Sequence, residues 1–216
     1  MAEKYAINRI ELCAALSEGG LTPSYGLIKK CTALSVAVHV MIRPRGGTFQ
    51  YNSDEISIMK SDIEMAKKLK ASGVVLGVLN ARNEISDIND TLVSAAKSLG
   101  LEVTFHRAFD LVSEPYLAMQ KLIDFKCDRI LTSGLKEKAI NGKDLLAKLQ
   151  KRYGHSIQIM AGSGINATNA LQFSKIGIEN IHFTSHKSTN DIELKMGSYY
   201  KSDSKKLESI LNCFNL

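Results

Sequence analysis

Seven short apolar segments, each followed by a stretch of helical periodicity, constrain this chain more than anything else in it. They are Arg9–Cys13 (RIELC), Val38–Arg43 (VHVMIR), Val74–Leu79 (VVLGVL), Val103–Phe109 (VTFHRAF), Arg129–Ser133 (RILTS), Ile157–Gly162 (IQIMAG) and Asn180–Ser185 (NIHFTS). Their centres recur about every 25–35 residues, the pace of strand–helix units joined by right-handed crossovers. Helix-period stretches occupy the intervals, among them Ser53–Lys70, Asp87–Leu99, Pro115–Asp124 and Gly142–Arg152. Single strands alternating with helices predict a parallel sheet. Seven or eight such units favour a TIM-type (β/α)8 barrel over an open sheet. With 216 residues, 44% of them hydrophobic, residues 1–216 read as one barrel domain.

The joints carry matching chemistry. Ser53 is the expected N-cap of the helix whose apolar face starts at Ile56, and Pro115 suits a first helical turn. Gly73, Gly100 and Gly154 stand just before strands, where helices commonly stop. The strand count is one short of eight. The opening MAEKYAI reads as the end of a helix preceding RIELC, so the pattern lacks a first strand. An unfilled slot is expected between RIELC and NIHFTS, and two exposed parallel edges are an association hazard. Either the chain begins late or a partner fills the gap.

Charge and cysteine content narrow the function classes. The net charge of +6 is spread along helix-like stretches, where a solvated face explains it, and no aromatic-plus-basic surface accompanies it. Nucleic-acid binding is therefore not expected. Cys13, Cys31, Cys127 and Cys213 lack any CxxC pairing, which fits reduced thiols in a cytoplasmic protein. No run of 18 apolar residues occurs, so no membrane segment is expected. Walker, dinucleotide and HExxH motifs are absent, so no nucleotide cofactor is expected.

In a barrel strand, alternate residues face the helices and the interior, and the apolar set packs under the helices. Ile10 and Leu12 outward turn Arg9, Glu11 and Cys13 inward. The same rule turns His39, Met41 and Arg43 inward, then Thr104 and His106, then His182, Thr184 and His186. An ordinary barrel interior is filled by Val, Ile and Leu. So many polar groups converging from four strands point to a polar site, since buried charges need partners. Cys13, Arg43 and His106 lie toward the strand C-termini, where such barrels place their chemistry, whereas His39 lies deeper in a structural position.

At that mouth Arg43, Arg45 and Arg107 suit a clamp for carboxylate or phosphate; neutralisation by Asp110 and Glu11 is the competing explanation. Gly46 and Gly47 would admit a ligand to the backbone, with Phe49 and Tyr51 walling the pocket. Two strands end in small residues, Leu131–Gly134 (LTSG) and Met160–Ile165 (MAGSGI). Loops at the last strands of such barrels bind phosphate through main-chain N–H groups. Ser133, Gly134, Gly162 and Gly164, with Arg45, are thus anion-binding candidates. If the protein is an enzyme, it acts on a small anionic, even phosphorylated, metabolite. Glu11, Arg43, His106, Arg107 and Asp110 are then its catalytic candidates, with His106 or Glu11 as acid/base on the strength of a near-neutral imidazole.

The motifs RIELCAALSEGGLTPSYG, HVMIRPRGGTFQY, TFHRAFD, RILTSG and IMAGSGI, in that order, closely resemble the CutC copper homeostasis family, from Arg9 to about His186. The resemblance implies a TIM-type barrel, a cytoplasmic location, a homodimer or larger homo-oligomer, and control of copper homeostasis without an agreed reaction. It places Cys13 on a cysteine proposed as a Cu(I) ligand in some members, a soft thiolate suited to that ion. The partner cysteine lies in an E-x-C strand with no counterpart here. Cys31, Cys127 and Cys213 match no copper position, and Met41 and Met160 are read as gap-filling.

Overall fold

The computed structural model describes residues 2–5, 7–189 and 199–214. Seven parallel strands form one sheet in chain order: β1 (Arg9–Leu12), β2 (Ala37–Met41), β3 (Gly73–Leu76), β4 (Glu102–Phe105), β5 (Arg129–Thr132), β6 (Gln158–Gly162) and β7 (Asn180–His182). Between and after them lie α1 (Tyr25–Cys31), α2 (Ser53–Lys68), α3 (Ile88–Ser98), α4 (Pro115–Asp124), α5 (Lys143–Tyr153), α6 (Ala170–Ser174) and α7 (Ser204–Leu211).

Two packing environments separate cleanly along each strand. Val38, Val40, Ile42, Val74, Leu76, Val103, Phe105, Ile130, Ile159 and Ala161 join the helices in one continuous apolar cluster. Fully burying such side chains is worth roughly 1.5–3 kcal/mol each, which makes this outer layer the main source of stability. The alternate positions face the barrel interior, as the period-two rule requires.

The sheet curls but does not close by hydrogen bonds. Among the described residues β1 pairs only with β2 and β7 only with β6. Side chains bridge the remaining slot: Arg9 Nη2 lies 3.4 Å from Met160 Sδ on β6. Glu11 Oε2 lies 3.5 Å from His182 Nδ1 on β7. Both edge strands are only half-buried, while β3 and β5 are buried throughout.

Local chemistry shifts several expected boundaries. The N-cap of α2 is Asn52 rather than Ser53, because Asn52 and Glu55 form a reciprocal capping box with 2.9 Å bonds in both directions. Strand β4 stops at Phe105, not Phe109. His106 Nδ1 accepts from the Ala108 N–H and starts a 3-10 turn over Arg107–Leu111. Strand β7 stops at His182 rather than Ser185. The chain then enters an antiparallel hairpin, β8 (His186–Thr189) and β9 (Tyr199–Ser202). His186 therefore stacks on Tyr200 at 4.3 Å and is not an interior residue. The opening residues 2–5 form a turn instead of a helix end. The Tyr5 hydroxyl donates to Glu208 of α7, and the Glu3 carboxylate accepts from Ser35, fastening that turn at two points.

Candidate functional site

The inward residues arrange themselves in depth. At the N-terminal end of the barrel stand Arg9, His39, Glu102 and Arg129. Arg129 is buried and fully committed: Nε to Gln158 Oε1 at 2.9 Å, Nη1 to Thr104 Oγ1 at 3.1 Å, Nη2 to Glu102 Oε2 at 3.3 Å. His39 Nε2 lies 3.5 Å from the same Glu102 carboxylate. Burial, then repulsion from Arg9 and Arg129, pushes the His39 ring down to about 3. A groove of about 530 Å³ opens at this end, lined in part by Arg129, Asp128 and Lys97. Lys97 is committed there too, at 2.7 and 2.9 Å from the two Asp128 oxygens. The placement of Arg129 and Glu102 was missed from sequence, although alternation around Ile130 and Val103 turns both inward.

The mouth, at the opposite end, is built by the loops after β1 and β2. Arg43 is buried and holds both loops: Nη1 donates to the carbonyls of Glu18 and Gly20, and Nη2 to that of Gly47. Gly20 and Gly47 have φ of +90° and +78°, which lets the main chain turn its carbonyls onto the guanidinium. Arg43 has no carboxylate partner among the described residues, and its Nε is buried without an acceptor. Its guanidinium carbon lies 4.9 Å from the centre of the Phe49 ring. The Tyr51 hydroxyl is buried beside the Arg43 guanidinium; burial raises it, and the charge and side-chain contact of Arg43 oppose that rise.

His106 also packs against Phe49, with ring centroids 4.8 Å apart. Gly77 makes room for it, since a Cβ there would fall 2.6 Å from His106 Cε1. Gly73 does the same for His39 at 2.7 Å. Burial, then repulsion from Arg43, pushes His106 down to about 3. This corrects the expected near-neutral acid/base: at physiological pH the ring is fixed in its neutral form.

The expected three-arginine clamp is divided among separate tasks. Arg45 organises its own loop through Glu55 at 2.5 Å and the carbonyls of Gly46, Thr48 and Gln50. Arg107 is tied to Asp110 at 2.8 Å and to the Ser133 hydroxyl at 3.1 Å. Asp110 is the hub of that corner, accepting also from Thr132 Oγ1 and from the N–H groups of Ser133 and Leu135. The Gly134 N–H donates to Thr132 Oγ1. The N–H groups of the LTSG turn are thus consumed internally. In the MAGSGI turn, Ser163 and Gly164 take φ of +83° and +73°. The N–H groups of Ser163, Gly164 and Ile165 have no protein acceptor among the described residues.

Cys13 faces the same mouth beside Met41. The position a Cβ of Gly20 would occupy lies 3.3 Å from Cys13 Sγ and 3.6 Å from Met41 Cε. Burial, reinforced by the Glu11 carboxylate, raises the Cys13 thiol. One Glu11 oxygen is buried without a partner. Cys127, by contrast, is buried under the helices and pushed up to about 12, an inert core thiol. No group of three or more His, Cys, Asp or Glu residues suited to a metal occurs among the described residues. None of the described helices is long and apolar enough to cross a membrane.

Comparison with known proteins agrees with this architecture. The CutC family profile matches residues 1–187. A CutC family protein from Pasteurella multocida is 44% identical over 187 residues, covering 85% of this chain and 76% of that protein. Another from Glaesserella parasuis is 40% identical, covering 100% of this chain and 93% of that protein. Among solved structures, a CutC from Streptococcus agalactiae, provisionally designated a copper homeostasis protein, superposes with a TM-score of 0.77. It is 36% identical and covers 82% of this chain and 88% of that one. A thiamine phosphate pyrophosphorylase from Pyrococcus furiosus, 15% identical with a TM-score of 0.58, shares the fold alone; it covers 96% of this chain and 81% of that one. The chain belongs to the CutC family.

Proposed function

We propose that this CutC family member acts in copper homeostasis by binding Cu(I) at the barrel mouth, with the Cys13 thiolate as the principal ligand. One observation carries this reading: the Cys13 sulfur and the Met41 thioether arm converge on the same point beside Gly20. Thiolate and thioether are the soft donors that Cu(I) prefers, and two such donors suit a low coordination number better than a hard oxygen cage. Glu11 beside Cys13 adds negative charge near the bound cation. The ion is cargo in this reading, bound reversibly and handed on. A cytoplasmic setting, whose reducing poise keeps free thiols available, and assembly as a homodimer or larger oligomer belong to the same proposal. Competition with a chromogenic Cu(I) chelator tests it. Cys13→Ser should weaken Cu(I) binding by at least about tenfold, roughly 1.4 kcal/mol, and Met41→Leu by less. Equal affinity in the wild-type and Cys13→Ser proteins would remove Cys13 from the site.

A second reading, an enzyme acting on a small anionic metabolite, has its own support. Arg43 is a buried cation with no carboxylate partner among the described residues, beside a buried His106 Nε2 that also lacks one. Mass spectrometry of small anions released from the purified protein is the direct check. Recovery of none above background would count against it.

A further inference from the structure

His106 is a donor with nowhere to donate. Its Nδ1 accepts the Ala108 N–H at 3.2 Å, so the neutral ring carries its hydrogen on Nε2. That Nε2 is buried without a partner. The ring cannot swing away to find one, because Phe49, Phe105 and the backbone at Gly77 enclose it. An unmet buried donor costs about 1–3 kcal/mol, and an unneutralised guanidinium more. Arg43 presents such a guanidinium beside the same Phe49 ring, with its Nε also unmet. Glu11 adds an unmet acceptor oxygen facing the same interior.

Resting on the second reading above, we propose that the barrel mouth binds a short hydroxycarboxylic acid, whose carboxylate accepts from His106 Nε2 and Arg43 Nε and whose hydroxyl donates to Glu11. The carboxylate supplies the anionic partner that Arg43 lacks among the described residues. A phosphate dianion would bring more charge and more lone pairs than these donors can satisfy. The ligand must be small, because the atoms that would hold it are buried beneath the loops carrying Glu18, Gly20 and Gly47. It enters when those loops release Arg43, a local opening at three main-chain carbonyls. His106 acts here as a neutral hydrogen-bond donor to a ligand oxygen and not as a proton shuttle.

Titration calorimetry on the full chain with glycolate, lactate, acetate and inorganic phosphate tests this. Glycolate or lactate should bind saturably, at least about tenfold tighter than acetate or phosphate. His106→Phe should weaken that binding by about tenfold or more, while His106→Gln, which retains an N–H donor, should stay within about threefold of wild type. Lys126→Ala, on the far end of the barrel, should change nothing. Circular dichroism establishes that each variant is folded, and the two His106 variants decide the matter even if Arg43→Ala does not fold. Phosphate binding tighter than every carboxylate, no saturable carboxylate binding, or wild-type affinity in His106→Phe would each overturn the proposal. Hydroxy-acid binding without turnover upholds it and defeats only the enzyme reading.

Discussion

The two ends of the barrel interior contain similar residues in opposite states. Each has a histidine seated over a glycine, Gly73 at the start of β3 or Gly77 just after its end, and each has a buried arginine, Arg129 on β5 or Arg43 just after β2. At the N-terminal end Arg129 meets three side-chain acceptors, one of them the carboxylate of Glu102. At the mouth Arg43 meets only main-chain carbonyls, and His106 meets no acceptor at all. A satisfied polar network stiffens a core, whereas unmet donors are tolerated where something else is to be bound. The N-terminal end is therefore read as structure and the mouth as function. The N-terminal end keeps one loose thread, the unpartnered His39 Nδ1. An unused lone pair is less costly there than a stranded donor.

The largest effect expected from this contrast is on acid stability, to which both ends contribute. Both histidines are pushed down to about 3 in the fold, whereas an unfolded histidine titrates near 6.5. Between those values the unfolded chain binds more protons, so stability rises with pH. It is fully present above about 6.5 and falls by roughly 1.4 kcal/mol per pH unit for each ring as pH drops toward 3. Urea melts from pH 4 to 8, with NMR titration of the ring protons, check this; a ring that titrates near 6.5 in the folded protein would remove its end from the account.

Next in size is Arg129→Ala, which removes a buried side chain and leaves the buried Thr104 hydroxyl without its donor while Glu102 and Gln158 turn to water; it should cost about 2–4 kcal/mol of unfolding free energy. The same melts measure it, and a loss below about 1 kcal/mol would erase the distinction between the two ends. Smaller still is Gly77→Ala, expected to cost about 1–3 kcal/mol by driving a methyl into the His106 ring. Gly73→Ala should be worse, because its methyl would also meet the Glu102 main-chain carbonyl at 2.7 Å, which cannot rotate aside. Equal melting of the two variants would show that His39 and His106 yield to the same degree.

Much of the fold was legible because strand parity and strand–helix alternation are local signals. All seven parallel strands and the Pro115 start of α4 follow from them. The failures have physical causes. VTFHRAF has strand composition throughout, yet the His106 ring accepts an N–H two residues on and bends the chain into a 3-10 turn. The C-terminal hairpin has no strong alternation to announce it. Arg45 and Arg107 have the right chemistry for an anion, but Glu55 and Asp110 claim them first. Which carboxylate reaches which arginine is a matter of distance between loops, and spacing along the chain does not record it.

The sequence by itself determined that seven strand–helix units would curl around a polar interior, and which residues within the strands would face inward, though not those past His182. Periodicity does that, because a side chain on the wrong face loses its burial. Only the tertiary structure decided which of those polar groups are satisfied. Hydrogen bonds need atoms within about 3 Å, and most partners of Arg43 and Arg129 come from strands and loops far apart in the chain. That division leaves Arg129 at work holding the barrel together and His106 with a hydrogen still to give.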